Sequence, residues 1–347
     1  MSAAMNLLTD SDARPRNEVP VQVVAGERLV VSKAGGEAAV PLFRGGSARP
    51  ADATQVVVML HGRLRDADAY LRSTERALAS STRDADSVIL AVPQFLATAD
   101  VEHHALPGGY LHWEWTSWMG GLDALGPSPL SSFDVLDALI EHFVRDGGYP
   151  NVREIVIAGH SGGAQVAHRH AILSDVAVRC RAAGVLVRYV IANPSSYVYF
   201  DAWRPYCADG SSADARAACA GFNAWKYGTQ GLPRYAEVLD AQRLEHRYVD
   251  RDVTYLLGTH DNDPAHPALD RSCEAMLQGP HRLARGRAYY AYLRRRHLRL
   301  RHQLYEVAGA AHSGDAMFVS QPGVEALFGT AARLVDTGVV HEGRALE

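Results

Sequence analysis

Ile155-Val156-Ile157-Ala158-Gly159-His160-Ser161-Gly162-Gly163 decides the fold of this chain. The first four residues are a short apolar run with β-branched members, as expected of a strand buried on both faces. Ala164-Gln165-Val166-Ala167-His168-Arg169-His170-Ala171 follows and suits a helix. Strand, G-x-S-x-G and helix in that order describe a nucleophile elbow, in which a serine sits on a sharp, strained turn with its hydroxyl exposed. The glycines have a physical task there, because side chains beside such a turn would strike the adjoining strand and helix.

Outward from the elbow the same rhythm repeats. Val56–Leu60 and Ser87–Val92 read as further buried strands, and Val185–Ala192, Val253–Leu257 and Leu304–Val307 complete the set of strands. Between them the spacing predicts helices over about Ala67–Ser80 and Phe133–Val144, with a closing helix over Gly323–Val335. Alternating strands and helices imply an α/β fold with a mainly parallel central sheet flanked by helices. Val21–Val24, Leu29–Ser32 and Val40–Phe43 read as short antiparallel strands before it. Residues 1–20 read as a disordered lead-in, and 21–347 as a single domain. The aromatic-rich segment 193–250 interrupts the rhythm and reads as a lid-like insertion over the strand ends, or as a small core of its own.

In this topology the partners of a catalytic serine follow as an acid and then a histidine, each just past a strand. The strand ending at Leu257 is followed by Gly258-Thr259-His260-Asp261-Asn262-Asp263, and the one ending at Val307 by Ala308-Gly309-Ala310-Ala311-His312. The candidates are therefore Ser161 as nucleophile, His312 as base and Asp261 as the acid, with Asp263 as its rival. A tetrahedral intermediate needs backbone N–H donors. Gly162 is the first candidate donor. Arg63, with Gly62 as alternative, is the second, from the His61-Gly62-Arg63 loop after Val56–Leu60.

His61-Gly62, the stretch Arg65–Tyr70, the elbow and Asn193-Pro194-Ser195-Ser196-Tyr197 together resemble the α/β-hydrolase superfamily over about residues 55–335, and within it the polyhydroxyalkanoate-depolymerase and feruloyl-esterase-like branch. That resemblance implies a Ser-Asp-His esterase with an acyl-serine intermediate, no cofactor and no metal, acting on a small-molecule or oligomeric ester. An amidase, thioesterase or acyltransferase on the same triad is the alternative. A non-catalytic ligand receptor is the remote one. Ser196, Tyr197, His160, Trp113, Trp115 and Arg65 join the candidate substrate pocket, the tryptophans as an aromatic wall or as buried structure. Arg63 and Arg65 suit a substrate carboxylate, although Arg65 could instead tie its loop down through Asp66 or Asp68.

The chain's 347 residues carry a net charge of −4, which gives no reason to expect nucleic acid as a partner. No apolar run reaches the roughly 18 residues of a membrane span. No signal-like segment opens the chain, so a cytoplasmic location is expected. Oligomeric state is left open. Cys207 and Cys219 could bridge, but reduced thiols are the plainer expectation. His260, Asp261, Asp263 and His266 resemble metal ligands only superficially. The arginine-rich run Arg282–Arg301 reads as a helix with a solvated face.

Overall fold

A computed structural model describes residues 18–33, 36–145, 147–206, 217, 219–236 and 240–329. Its centre is an eight-stranded sheet in the order β1-β2-β4-β3-β7-β8-β9-β10. The strands are β1 (Glu27–Lys33), β2 (Gly36–Gly45), β3 (Gln55–Leu60), β4 (Val88–Pro93), β7 (Glu154–His160), β8 (Leu186–Ala192), β9 (Asp252–Gly258) and β10 (Gln303–Val307). β5 (Leu96–Ala97) and β6 (His112–Trp113) form a separate two-stranded ladder. From β4 to β10 every pairing is parallel, whereas β1 and β2 join antiparallel at one edge.

The side-chain period of two sorts β3 between two cores. Val56, Val58 and Leu60 face the helices Ser132–Arg145, Gly162–Leu173 and Arg282–Arg296. Val57 and Met59 face Ala67–Ala79, Gly314–Phe318 and Gln321–Phe328. Both faces are covered, which explains why the central strands are apolar throughout.

Several expectations need correction. Val21–Val24 is not a strand. Side chains take the place of a sheet partner there: Asp100 accepts from Val21 N at 2.9 Å and Gln94 accepts from Ala25 N at 3.3 Å. The closing helix ends at Phe328, and 330–335 lie outside the described residues, as do residues 1–17 of the lead-in. The arginine-rich helix stops at Arg296, leaving Leu298 exposed, and its first arginines, Arg282 and Arg285, are buried rather than solvated. Cys219 is bonded to Cys273, 54 residues away, so it is neither reduced nor paired with Cys207, which lies outside the described residues. No helix among the described residues is long and apolar enough to cross a membrane.

In the segment 193–250, Tyr197, Tyr199 and Phe200 are buried. Tyr197 stacks on Tyr289 at 4.6 Å and Trp203 on Tyr292 at 5.6 Å, both on the helix Arg282–Arg296. These aromatics join the main core under that helix rather than forming a core of their own. The small separate cluster of the segment is Cys219 and Phe222 with Leu277. Further along, Lys226 and Tyr227 reach the cleft beside Ser161.

Candidate active site

Ser161 joins β7 to the helix Gly162–Leu173 with φ 56° and ψ −112°, a region that costs a non-glycine residue free energy. The flanking glycines make the turn possible. A Cβ on Gly159 would lie 2.4 Å from Gly163 C, and one on Gly163 would lie 2.2 Å from Leu60 O. Ser161 N donates to Ala192 O at 3.0 Å, which ties the turn to the end of β8.

β9 and β10 end beside the elbow. Their loops are stitched together by Thr259 N to Val307 O at 3.1 Å and His260 N to Ala310 O at 2.9 Å. This brings His312 between Ser161 and Asp261. Ser161 Oγ lies 3.0 Å from His312 Nε2, and His312 Nδ1 lies 2.7 Å from Asp261 Oδ2. A carboxylate only accepts, so Nδ1 carries the imidazole proton and Nε2 is open to the serine hydroxyl. Asp263 is exposed and accepts from Ala265 N at 2.8 Å within its own loop.

Arg282, the first residue of its helix, holds the other oxygen of Asp261 with Nη1 at 3.2 Å. It also donates to Ser195 Oγ at 3.1 Å and Ala268 O at 2.5 Å. Burial alone would raise the Asp261 carboxyl. The His312 hydrogen bond and the Arg282 charge outweigh it and hold the group below its ordinary value. Burial pushes the His312 imidazole below its ordinary value of 6.5 even against the Asp261 hydrogen bond, and the Arg282 and His266 charges add to the fall.

The loop after β3 approaches from the other side, so that a Cβ on Gly162 would be 3.2 Å from Arg63 N. His61 is fully buried and grips this loop. Its Nε2 accepts from Phe95 N at 2.9 Å, so its Nδ1 donates to Gly62 O at 2.8 Å. Burial lowers its pKa to about 4 and keeps it neutral.

The cleft beside Ser161 has a volume of about 180 Å³ and includes Arg63, Gln165, Ser195, Lys226 and Tyr227. Several pocket expectations are corrected here. Arg65 is fully buried, with Nε on Asp100 Oδ2 at 2.6 Å and Nη2 on Asp100 Oδ1 at 3.1 Å, so it braces the loop and does not meet a substrate. The carboxylate that ties it down is Asp100, distant in sequence. Trp113 is fully buried and donates from Nε1 to Leu122 O at 3.0 Å. Trp115 is half-buried against the Arg65 guanidinium, 5.1 Å from it. Ser196 and Tyr197 are fully buried and do not line the cleft. Ser196 lies one layer behind it, its Oγ on Arg169 and Gln165. His160 is buried behind His312, their rings 4.5 Å apart, and its Nδ1 meets Tyr70 OH at 3.1 Å. Burial and the charge of His312 push the His160 pKa well below the ordinary value.

Sequence reasoning missed Ser195, Gln165, Lys226 and Arg282. Gln165, four residues past Ser161 on the elbow helix, could have been placed by helical periodicity. Lys226 and Arg282 carry no local signal, since only the tertiary fold brings them to the serine.

No family model matches the chain, and no curated protein matches its sequence. Solved structures do. Poly(aspartic acid) hydrolase-1 from Sphingomonas sp. KT-1 is 24% identical, with 88% of this chain and 98% of that one covered and a TM-score of 0.60. The poly(3-hydroxybutyrate) depolymerase LpqC from Bordetella parapertussis is 22% identical, with 89% and 93% covered and a TM-score of 0.57. By its strand order and by this overlap, the chain has the α/β-hydrolase fold.

Proposed function

We propose that this protein is a serine hydrolase that cleaves carboxylic esters through an acyl-serine intermediate, with Ser161, His312 and Asp261 as its triad. The observation that carries this reading is the hydrogen-bonded line from Ser161 Oγ through His312 to Asp261, at 3.0 and 2.7 Å. His312 Nε2 takes the serine proton as Oγ attacks the carbonyl carbon, then delivers it to the departing alcohol oxygen. Asp261 fixes the tautomer and stabilises the imidazolium, and Arg282 keeps the carboxylate ionised. Water, activated by the same imidazole, then hydrolyses the acyl-enzyme.

The backbone N–H groups of Gly162 and Arg63 are the oxyanion donors in this reading. Arg65–Asp100 and His61 hold Arg63 in place from behind. Segment 193–250 serves as a cover over one side of the cleft, through Lys226 and Tyr227. The two structural neighbours are named as a hydrolase and a depolymerase, which supports hydrolysis over acyl transfer. The substrate is a small or oligomeric ester.

The reading is tested with a short-chain chromogenic ester. Wild-type protein turns it over and Ser161→Ala does not. Turnover retained by the alanine variant at the wild-type rate contradicts the assignment.

A further inference from the structure

The polar wall of the cleft presents donors and positive charge. Arg169, on the elbow helix, is fully buried. Among the described residues it donates to oxygens of uncharged groups: Nη1 to Met119 O at 2.6 Å, and Nη2 to Gln165 Oε1 at 2.9 Å and Ser196 Oγ at 3.0 Å. Its Nε has no partner among them. None of these hydrogen bonds goes to a carboxylate, so the buried charge is offset only at a distance, by Asp270 in the cleft wall.

These contacts also orient the neighbouring amide. Gln165 Oε1 accepts from Arg169 and from Ser196 Oγ, the latter at 3.3 Å. The NH₂ end is thereby turned the other way, where it meets Met119 Sδ at 3.9 Å and the cleft. A thioether is a weak acceptor, so this donor still lacks a strong partner.

Lys226 brings a full charge to the same cleft. Its Nζ is 3.6 Å from Asp270 Oδ2, a carboxylate that already accepts from Tyr227 OH at 2.8 Å and Ser272 N at 3.1 Å. Lys226 and the underlying Arg169 thus set two positive charges against Asp270, the one carboxylate among the described residues lining the cleft. Burial, and next the Arg169 charge, push the Lys226 amine below its ordinary value, a strain that an added anion relieves.

We propose that the cleft selects esters whose acyl part carries a second carboxylate, held by Lys226 and the Gln165 amide. Arg169 is a positioning residue that fixes the amide from behind. The volume of about 180 Å³ is below the roughly 300–1,000 Å³ of drug-sized sites, so the class is monoesters of short dicarboxylic acids. The inference rests on the hydrolase reading above.

Monomethyl glutarate and methyl pentanoate differ in one terminal group, carboxylate against methyl, and both can be followed by acid release. A charge-assisted contact contributes about 1.5–3 kcal/mol, so wild-type kcat/KM is expected to be at least about tenfold higher for the glutarate monoester. Lys226→Met lowers that ratio about tenfold. A wild-type ratio at or below one, or a ratio that Lys226→Met leaves unchanged, overturns the proposal.

A second measurement does not depend on turnover. Glutarate is expected to slow labelling of Ser161 by an uncharged fluorophosphonate, and to slow it less in Lys226→Gln. Labelling that glutarate does not affect overturns the carboxylate site while the hydrolase reading stands. Absence of labelling at Ser161 overturns both.

Discussion

Arg282 holds the carboxylate oxygen of Asp261 that His312 leaves free, with Nη1 3.2 Å from Oδ1 while His312 Nδ1 sits 2.7 Å from Oδ2. The two donors fix the plane of the carboxylate, and so the face of the imidazole that meets Ser161. Burial lowers the His312 pKa, and the positive charge that Arg282 places nearby adds to the fall.

This pairing has a consequence for pH dependence. A general base works when unprotonated, so the acid limb of kcat/KM is expected below the ordinary histidine value of 6.5. Arg282→Gln removes a positive charge, raises the His312 pKa and moves the limb to higher pH. A pH profile at fixed ionic strength measures the shift. A limb that stays in place or moves to lower pH contradicts the role given to Arg282.

The two acid candidates separate in a direct test. Asp261→Asn leaves the shape but frees the imidazole to take the wrong tautomer, and kcat is expected to fall by about 10³–10⁴. Asp263→Asn alters only an exposed turn contact to Ala265 N, and kcat is expected to stay within about threefold. Steady-state kinetics on the two variants decides. The reverse order would transfer the acid's role to Asp263.

The loop behind Arg63 depends on a fully buried ion pair. Asp100 accepts from Arg65 Nε and Nη2, from Ala97 N at 2.7 Å and from Val21 N at 2.9 Å. Removing one partner leaves the other charge buried, at a cost of about 3–5 kcal/mol. Asp100→Ala is expected to lose that much stability in urea titration, and to lose kcat in whatever fraction stays folded. A loss under about 1 kcal/mol would show that the pair does not brace the loop.

How much of this was legible in the sequence depends on range. Strands β3, β4 and β7 to β9 could be read because a parallel strand buried on both faces is largely apolar. β10, by contrast, lies at the sheet edge, half-buried with Glu306 exposed, and was legible only as a short β-rich run. The elbow could be read because its chemistry is local. Asp261 and Asp263 could not be separated, since both follow the same strand and only packing buries one of them. Ser195 and Ser196 are adjacent, yet one lines the cleft and the other lies one layer behind it. Trp113 looked like a pocket wall because composition does not say which way a two-residue strand turns its side chains. Arg65–Asp100, Cys219–Cys273 and Lys226 beside Ser161 are products of distant segments meeting, with no spacing rule to announce them.

Buried neutral histidines give the fold an acid limit. Burial lowers His61 and His302 to about 4, against 6.5 for the ordinary group. The unfolded chain therefore binds more protons than the folded one between those values. The contribution is intact above about pH 6.5 and is lost as pH falls toward about 4, by up to about 1.4 kcal/mol per pH unit for each histidine. Urea midpoints measured from neutral pH downward should fall in this window, with a shallower slope in His302→Gln. A midpoint flat across the window would contradict the burial account.

The most direct test of the central claim is active-site labelling read by peptide mass spectrometry. Wild-type protein treated with a fluorophosphonate should carry one adduct, on Ser161, with ester turnover lost in proportion to labelling. His312→Ala should label far more slowly, since the hydroxyl has lost its base. An adduct on another residue, or full labelling with turnover intact, would contradict Ser161 as the nucleophile.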